Sequence, residues 1–149
     1  MIRKAKVSDV KDIQKVISAY AEKGEMLQRS AAELHESLRD FYVYEEEGRI
    51  LGVGALHLTL DGLAEVRSLA VLAGHTGNGY GRELVNACLA DARDLGVKTV
   101  FTLTYQPGFF KKMGFSEIDK HQLPHKIWNE CVKCFKFPDC DEVALTIAL

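Results

Sequence analysis

Residues 65–82, EVRSLAVLAGHTGNGYGR, constrain the fold more than any other stretch of the chain. An apolar, β-branched strand runs into a glycine-rich turn, and the turn leads straight into an amphipathic helix. Gly74, Gly77, Gly79 and Gly81 leave the turn bare, so its backbone N–H groups can face one concavity. The helix adds its unpaired first-turn N–H groups and the positive end of its dipole. Strand, bare turn and helix N-terminus together form a cradle for pyrophosphate.

The glycine spacing excludes two familiar tenants. A P-loop carries Lys and Ser or Thr after its last glycine, whereas Gly79 is followed by Tyr80-Gly81-Arg82. A dinucleotide fingerprint, G-x-G-x-x-G, opens a βαβ unit and has an acidic residue about 20 positions on. Here Gly77, Gly79 and Gly81 are spaced G-x-G-x-G and come late in the chain. The loop instead resembles the acetyl-CoA loop of the GNAT superfamily of N-acyltransferases, Arg/Gln-x-x-Gly-x-Gly/Ala. Gly79 and Gly81 fill its glycine positions, and Thr76 stands where Arg or Gln usually does.

Composition narrows the remaining classes. A chain of 149 residues is expected to form one domain with a full core. Its net charge of −2 provides no basic stripe for nucleic acid. No apolar run reaches roughly 18 residues and no leader pattern follows Met1, so a cytoplasmic protein without a membrane span is expected. Four cysteines without a leader suggest reduced thiols rather than disulfides.

Periodicity predicts a strand at 2–6, then a helix capped by Ser8 with Val10, Ile13, Ile17 and Tyr20 on one face, ending near Gly24. Ser30-Ala-Ala-Glu33 is a capping box that opens a second helix through Leu34 and Leu38. A hairpin of 41–46 and 50–60 turns at Glu47-Gly48, and the next strand is 63–71. Helix 79–95 buries Leu84, Val85, Cys88, Leu89, Ala92 and Leu95 and stops at Gly96. Strand 97–104, a short helix at 107–113 and a closing strand at 143–149 complete the order.

This β-α-α-β-β-β-α-β-α-β succession is that of the GNAT fold, an α+β (α/β) architecture with a mixed, mostly antiparallel central sheet flanked by helices. Phe109-Phe110-Lys111-Lys112-Met113-Gly114-Phe115 is similar to the superfamily's F-Y-x-K-x-G-F segment. Three further stretches resemble the acetyltransferase domain of the N-acetylglutamate synthase family: Arg3-Lys4-Ala5, residues 24–30 (GEMLQRS) and residues 64–71 (AEVRSLAV). The Asp119–Pro124 stretch, DKHQLP, resembles that family's D-x-x-L-P. No stretch of the 149 residues resembles the kinase-like domain that many such synthases carry, so the short, stand-alone form is expected.

The resemblance implies acetyl-CoA as cosubstrate and L-glutamate as acceptor, in the first step toward arginine. Thr76, Gly77, Asn78, Gly79, Tyr80, Gly81 and Arg82 would hold the pyrophosphate. Ala70 and Val71 would pair with the pantetheine arm, and the N–H groups of Leu69 and Val71 would hold the thioester oxygen. Only a neutral amine attacks a thioester, so a base is required. Glu65 matches a glutamate that the synthases use, acting through water. Leu27 and Arg29 lie in the loop that contacts glutamate in that family. Arg67 shares a strand face with Glu65, and two arginines suit two carboxylates.

Two departures from the family pattern bear on the chemistry. The usual acid is the tyrosine of F-Y-x-K, and Phe110 has no hydroxyl. Either Tyr105 or Tyr80 protonates the thiolate, or none does, since a thiol of pKa about 8.5 leaves adequately as its anion. Longer synthases carry an R-S pair where this chain reads Tyr105-Gln106-Pro107, so one carboxylate contact is missing or taken over by Gln106. Cys131, Cys134 and Cys140, with His121 or His125, could close a tetrahedral zinc site; incidental reduced thiols are the alternative and are preferred here. Cys88 reads as a core residue. Another amine, a protein terminus, or a non-catalytic acyl-CoA sensor remain as alternative functions. The sequence is silent on assembly, although the superfamily often pairs as a homodimer.

Overall fold

The computed structural model describes residues 1–60, 62–123 and 142–149. Seven strands form one sheet in the order β1-β2-β3-β4-β5-β7-β6. They are β1 (Ile2–Lys4), β2 (Phe41–Glu46), β3 (Arg49–Leu58), β4 (Leu63–Val71), β5 (Thr99–Thr104), β6 (Ser116–Ile118) and β7 (Val143–Ala148). The helices are α1 (Val10–Ala21), α2 (Ala31–Glu36), α3 (Tyr80–Asp94) and α4 (Pro107–Lys112). Every adjacent pair of strands is antiparallel except β4 and β5.

Local chemistry accounts for the elements. Glu47 and Gly48 both take positive φ, 52° and 78°, the requirement of a two-residue hairpin turn between paired Glu46 and Arg49. Ser30 Oγ accepts from the Glu33 N–H at 3.1 Å while Glu33 Oε1 accepts from the Ser30 N–H at 3.3 Å, closing the expected capping box. α1 starts differently from the expectation. A 3-10 turn over Val7–Asp9 precedes it, and Ser8 is not its cap. The Asp9 carboxylate is what organises this corner: it accepts from the Lys6 N–H at 2.7 Å and from both terminal nitrogens of Arg3.

Two helical layers cover the sheet. α3 and α4 bury Val85, Cys88, Leu89 and Phe110 against Leu56, Ala64, Val66 and Val100. α1 and α2 bury Ile13, Ile17 and Leu34 against Phe41, Val43, Val53 and Ala55 on the other face. Gly52 lets α3 approach β3, since a Cβ there would lie 3.0 Å from Leu84 Cδ1, and a Cβ at Gly54 would lie 3.2 Å from Leu69 Cδ1 of the β4 bulge. Leu95, expected in the buried stripe, is 55% exposed; α3 ends at Asp94 and the chain turns away at Gly96, φ 80°. The short strand β6 was not foreseen. It is three residues long and follows the α4 turn, where no alternation can declare itself.

Two irregularities of β4 shape the molecule's functional end. Its parallel ladder to β5 pairs Leu63, Glu65 and the residue between them, then stops at Glu65 and Phe101. Beyond that point the strands part, with Thr102 Oγ1 donating to the Val66 carbonyl at 2.9 Å at the root of the opening. On the other edge, Val53 pairs with Ala70 and Ala55 with Arg67, so two residues of β4 oppose Gly54 alone. That is a β-bulge, and its Ser68 sits at φ 56°. The extra residue flips the side-chain alternation. Ala64, Val66 and then Leu69 face α3, whereas Glu65, Arg67 and then Ala70 face α1.

Candidate active site

The parting of β4 and β5 opens a cleft of about 640 Å³. Its lining includes Leu27, Arg29, Glu65, Arg67, Leu69, Ala70, Val71, Thr76, Gly77, Gly79, Tyr80, Gly81, Arg82, Tyr105 and Gln106. Fifteen positions singled out in four separate stretches of sequence are thus brought to one concavity. Asn78 is the exception: its side-chain amide donates to the His75 carbonyl at 3.1 Å and braces the loop from outside the lining.

One end of the cleft is main chain. Val66–Val71 run along it with no ladder to β5, and the glycine loop leads from there to the N-terminus of α3. Gly77 and Gly79 both stand at φ 82°, and Gly79 is the residue on which α3 begins. A Cβ at either would meet nothing within 4 Å, so backbone conformation rather than crowding demands glycine there. Across the mouth, Tyr80 stacks on Tyr44 with ring centroids 3.9 Å apart, and its hydroxyl donates to Glu46 Oε2 at 3.3 Å.

The other end is charged. Arg29 is buried in the α1–α2 connection, its guanidinium 3.8 Å from Glu33. Gln14 Nε2 donates to the Arg29 carbonyl at 3.3 Å, and Gln28 Nε2 to Ser18 Oγ at 2.8 Å, so α1 holds this loop in place. Arg67 and Glu65 share the α1 face of β4, with Arg67 Nη1 4.0 Å from Glu65 Oε1 and side chains only 12% and 15% exposed. This polar strip lies between the apolar cluster under α1 and a smaller one around Phe101, Leu123 and Ala144.

Candidate acids sort by position. Phe110 is buried, edge-on to Phe109 and Phe115, and belongs to the core. The Tyr80 hydroxyl is turned toward β2, two strands away from β4, and desolvation, with Glu46 adding to it, holds its pKa above the usual phenol value. Tyr105 lines the cleft where β5 gives way to α4. Cys88 is buried and its thiol is pushed up to about 12, chiefly by burial, as befits an inert core residue. Cys131, Cys134, Cys140 and His125 lie outside the described residues. Among the described residues no cluster of His, Cys, Asp or Glu suits a metal, and no helix is long and apolar enough to cross a membrane.

Among the cleft residues to which the sequence reading gave no role are Tyr20, Ser68, Glu142 and the β5 residues Thr102, Leu103 and Thr104. Tyr20, assigned only to a helix face, lines the cleft and donates to the Val71 carbonyl at 2.6 Å. Ser68 carries the bulge, and an isolated serine in a strand gives no signal of that. Glu142 enters the lining from just before β7, far from every motif.

Comparison with known proteins agrees with this geometry. Residues 8–115 match the model of the acetyltransferase (GNAT) family. The chain belongs to that family. It is 41% identical over 148 residues to an N-acetyltransferase of Chlorobaculum tepidum, covering 99% of this chain and 96% of that one. An amino-acid acetyltransferase of Mycobacterium tuberculosis is 34% identical over 138 residues, covering 91% of this chain and 79% of the relative. N-acetylglutamate synthase from Neisseria gonorrhoeae, solved with coenzyme A and N-acetyl-glutamate, superposes with a TM-score of 0.91 at 25% identity. That match covers all of this chain but 35% of the gonococcal one, so the chain corresponds to about a third of that protein. The GNAT fold and N-acetyltransferase membership follow.

Proposed function

We propose that this chain transfers acetyl from acetyl-CoA to the α-amino group of L-glutamate, the acetylation that leads toward arginine, with residues 1–149 acting as one domain. The observation that carries the reading is the convergence of Arg29, Arg67 and Glu65 at the charged end of a cleft whose other end is bare backbone. The nature of the relatives supports it: they include an amino-acid acetyltransferase and a synthase solved with N-acetyl-glutamate.

The residues fit this cosubstrate. The unladdered edge of β4 offers backbone groups to the amides of pantetheine, and the glycine loop with the 15-residue helix α3 offers N–H groups to pyrophosphate. Acetyl-CoA supplies an activated acyl group and a thiolate able to depart. Arg29 and Arg67 bind the two carboxylates of glutamate and fix its amine toward β4. Glu65 takes the ammonium proton, through water, and so exposes the nitrogen lone pair. The N–H groups of Leu69 and Val71 hold the carbonyl oxygen as negative charge develops on it. Tyr105, a residue of the cleft lining, is assigned the protonation of the departing sulfur.

Turnover with a panel of amino acids, polyamines and a peptide tests the proposal, with wild type and Glu65→Gln compared. Glutamate-dependent thiol release that falls by about 10²- to 10⁴-fold in the variant supports substrate and base together. Release with another amine keeps the transferase and removes glutamate. Acetyl-CoA binding without release for any amine replaces the enzyme with an acyl-CoA sensor.

A further inference from the structure

Asp40, His57 and Glu65 form a row across the sheet behind the cleft. His57 on β3 and Glu65 on β4 are direct register partners. Their chain neighbours Leu56, Ala64 and Val66 point into the core under α3, so both side chains project from the opposite face. Directly opposed residues of an antiparallel pair have Cβ atoms roughly 4.5–5.5 Å apart. On its far side, His57 Nδ1 lies 2.7 Å from Asp40 Oδ2.

A carboxylate only accepts, so the Asp40 contact places the hydrogen of a neutral ring on Nδ1 and leaves Nε2 basic. Exposure is lowest at Glu65, whose side chain is 15% exposed, highest at His57 with 37%, and 26% at Asp40. His57 stands on the β3 side of Glu65, away from the β4–β5 opening, and is not part of the cleft lining.

We propose that His57, held by Asp40, is the positioning residue that discharges Glu65 to solvent after each deprotonation of the acceptor amine. The inference rests on Glu65 being the base. Every turnover loads Glu65 with a proton, and the reactants occupy its cleft side when this happens. The Glu65 carboxylate takes the proton from the ammonium through water; the resulting carboxylic acid passes it, again through water, to His57 Nε2; the imidazolium, its Nδ1–H held by Asp40, releases it to water. Only N–H and O–H bonds form and break, and Glu65 returns to its carboxylate.

The test is N-acetyl-amino-acid formation by the full chain carrying His57→Ala, Asp40→Asn or Glu65→Gln, with and without added imidazole. His57→Ala is expected to lower kcat about tenfold, less than the 10²- to 10⁴-fold of a lost base, with KM for acetyl-CoA unchanged. Imidazole should restore the rate in proportion to its concentration, because the vacated site is open to solvent. Asp40→Asn keeps a hydrogen-bond acceptor and loses the charge, so a smaller loss is expected. Wild-type kcat in His57→Ala overturns the relay. So does a loss that tracks a lower melting temperature and ignores imidazole, which is the behaviour of a structural pair. Full activity of Glu65→Gln overturns the base assignment itself, a result separable from failure at His57 alone.

Discussion

At the N-terminus of α3 the cleft presents main chain: Gly77 and Gly79 at positive φ, and a strand edge that β5 has left unpaired. At the other end it presents Arg29, Arg67 and Glu65, brought there by two local devices. A capped α2 and a pinned loop bury Arg29, while the alternation of β4 before its bulge aims Glu65 and Arg67. Backbone recognition depends on conformation and tolerates changed side chains, which is how Thr76 can stand where the family has Arg or Gln. Side-chain recognition depends on individual atoms. The two ends should therefore fail differently.

The largest separation is expected from the arginines. A charge-assisted hydrogen bond lost from a sheltered site is worth about 1.5–3 kcal/mol, so Arg29→Met and Arg67→Met should each raise KM for glutamate about 10- to 100-fold. KM for acetyl-CoA should not change. Steady-state kinetics with each substrate varied in turn decides the matter. An equal rise in both constants would mean that the two ends do not act independently.

A second expected effect lies outside both ends. Arg3 donates to Asp9 at 2.7 and 3.0 Å and to Glu45 at 2.9 Å, which ties β1 and the first turn to β2. These bonds hold the Asp9 carboxyl below its ordinary range, helped by the Lys6 N–H and opposed by burial. A depressed folded-state pKa contributes stability above the unfolded value of about 3.9, and the contribution is lost as pH falls through the lower, folded value. Asp9→Asn should cost about 2–3 kcal/mol at neutral pH, somewhat under the cost of breaking a fully buried pair, with kcat and both KM values retained. Below about pH 4 the melting temperatures of variant and wild type should converge. Altered kinetics in Asp9→Asn would show that the β1–β2 corner also shapes the cleft.

The same contrast explains how much could be read from residues alone. The glycine loop was legible because positive φ and bare backbone select one residue type, and the α3 stripe because helical burial repeats. The hairpin at Glu47-Gly48 and the box at Ser30 were legible through side-chain and turn chemistry confined to four residues. What escaped depends on partners distant in sequence. The start of α1 follows from Asp9 reaching Lys6 and Arg3, the Tyr20 hydroxyl from the position of Val71, and the bulge at Ser68 from the register with Gly54. Leu95 kept helical periodicity in sequence, yet the helix ended before it.

A third effect tests the backbone end directly. Gly79→Ala forces a side chain into φ 82°, a region that costs L-residues roughly 1–2 kcal/mol. Its Cβ meets no neighbour, so the penalty is conformational and the loop should shift rather than clash. A rise of about tenfold in KM for acetyl-CoA is expected, with KM for glutamate unaltered. An unchanged acetyl-CoA constant would mean that the loop N–H groups are not what holds the pyrophosphate.

The smallest expected effect sharpens the comparison most, because it adds a side chain to the end that is read as backbone. Thr76 is exposed at the cleft rim, in the position where the family pattern has Arg or Gln. A guanidinium placed there could reach a phosphate, but an exposed ion pair is typically worth at most about 1 kcal/mol. Thr76→Arg should therefore tighten acetyl-CoA no more than about fivefold, with kcat unchanged, and the gain should fade as salt rises through 0.1–0.5 M, where the Debye length shrinks below about 10 Å. Binding of the cofactor measured by calorimetry at two salt concentrations separates the cases. A gain well above tenfold, or one insensitive to salt, would mean that the cradle of wild type is incomplete and that the family's side chain, rather than the bare loop, is the principal phosphate ligand.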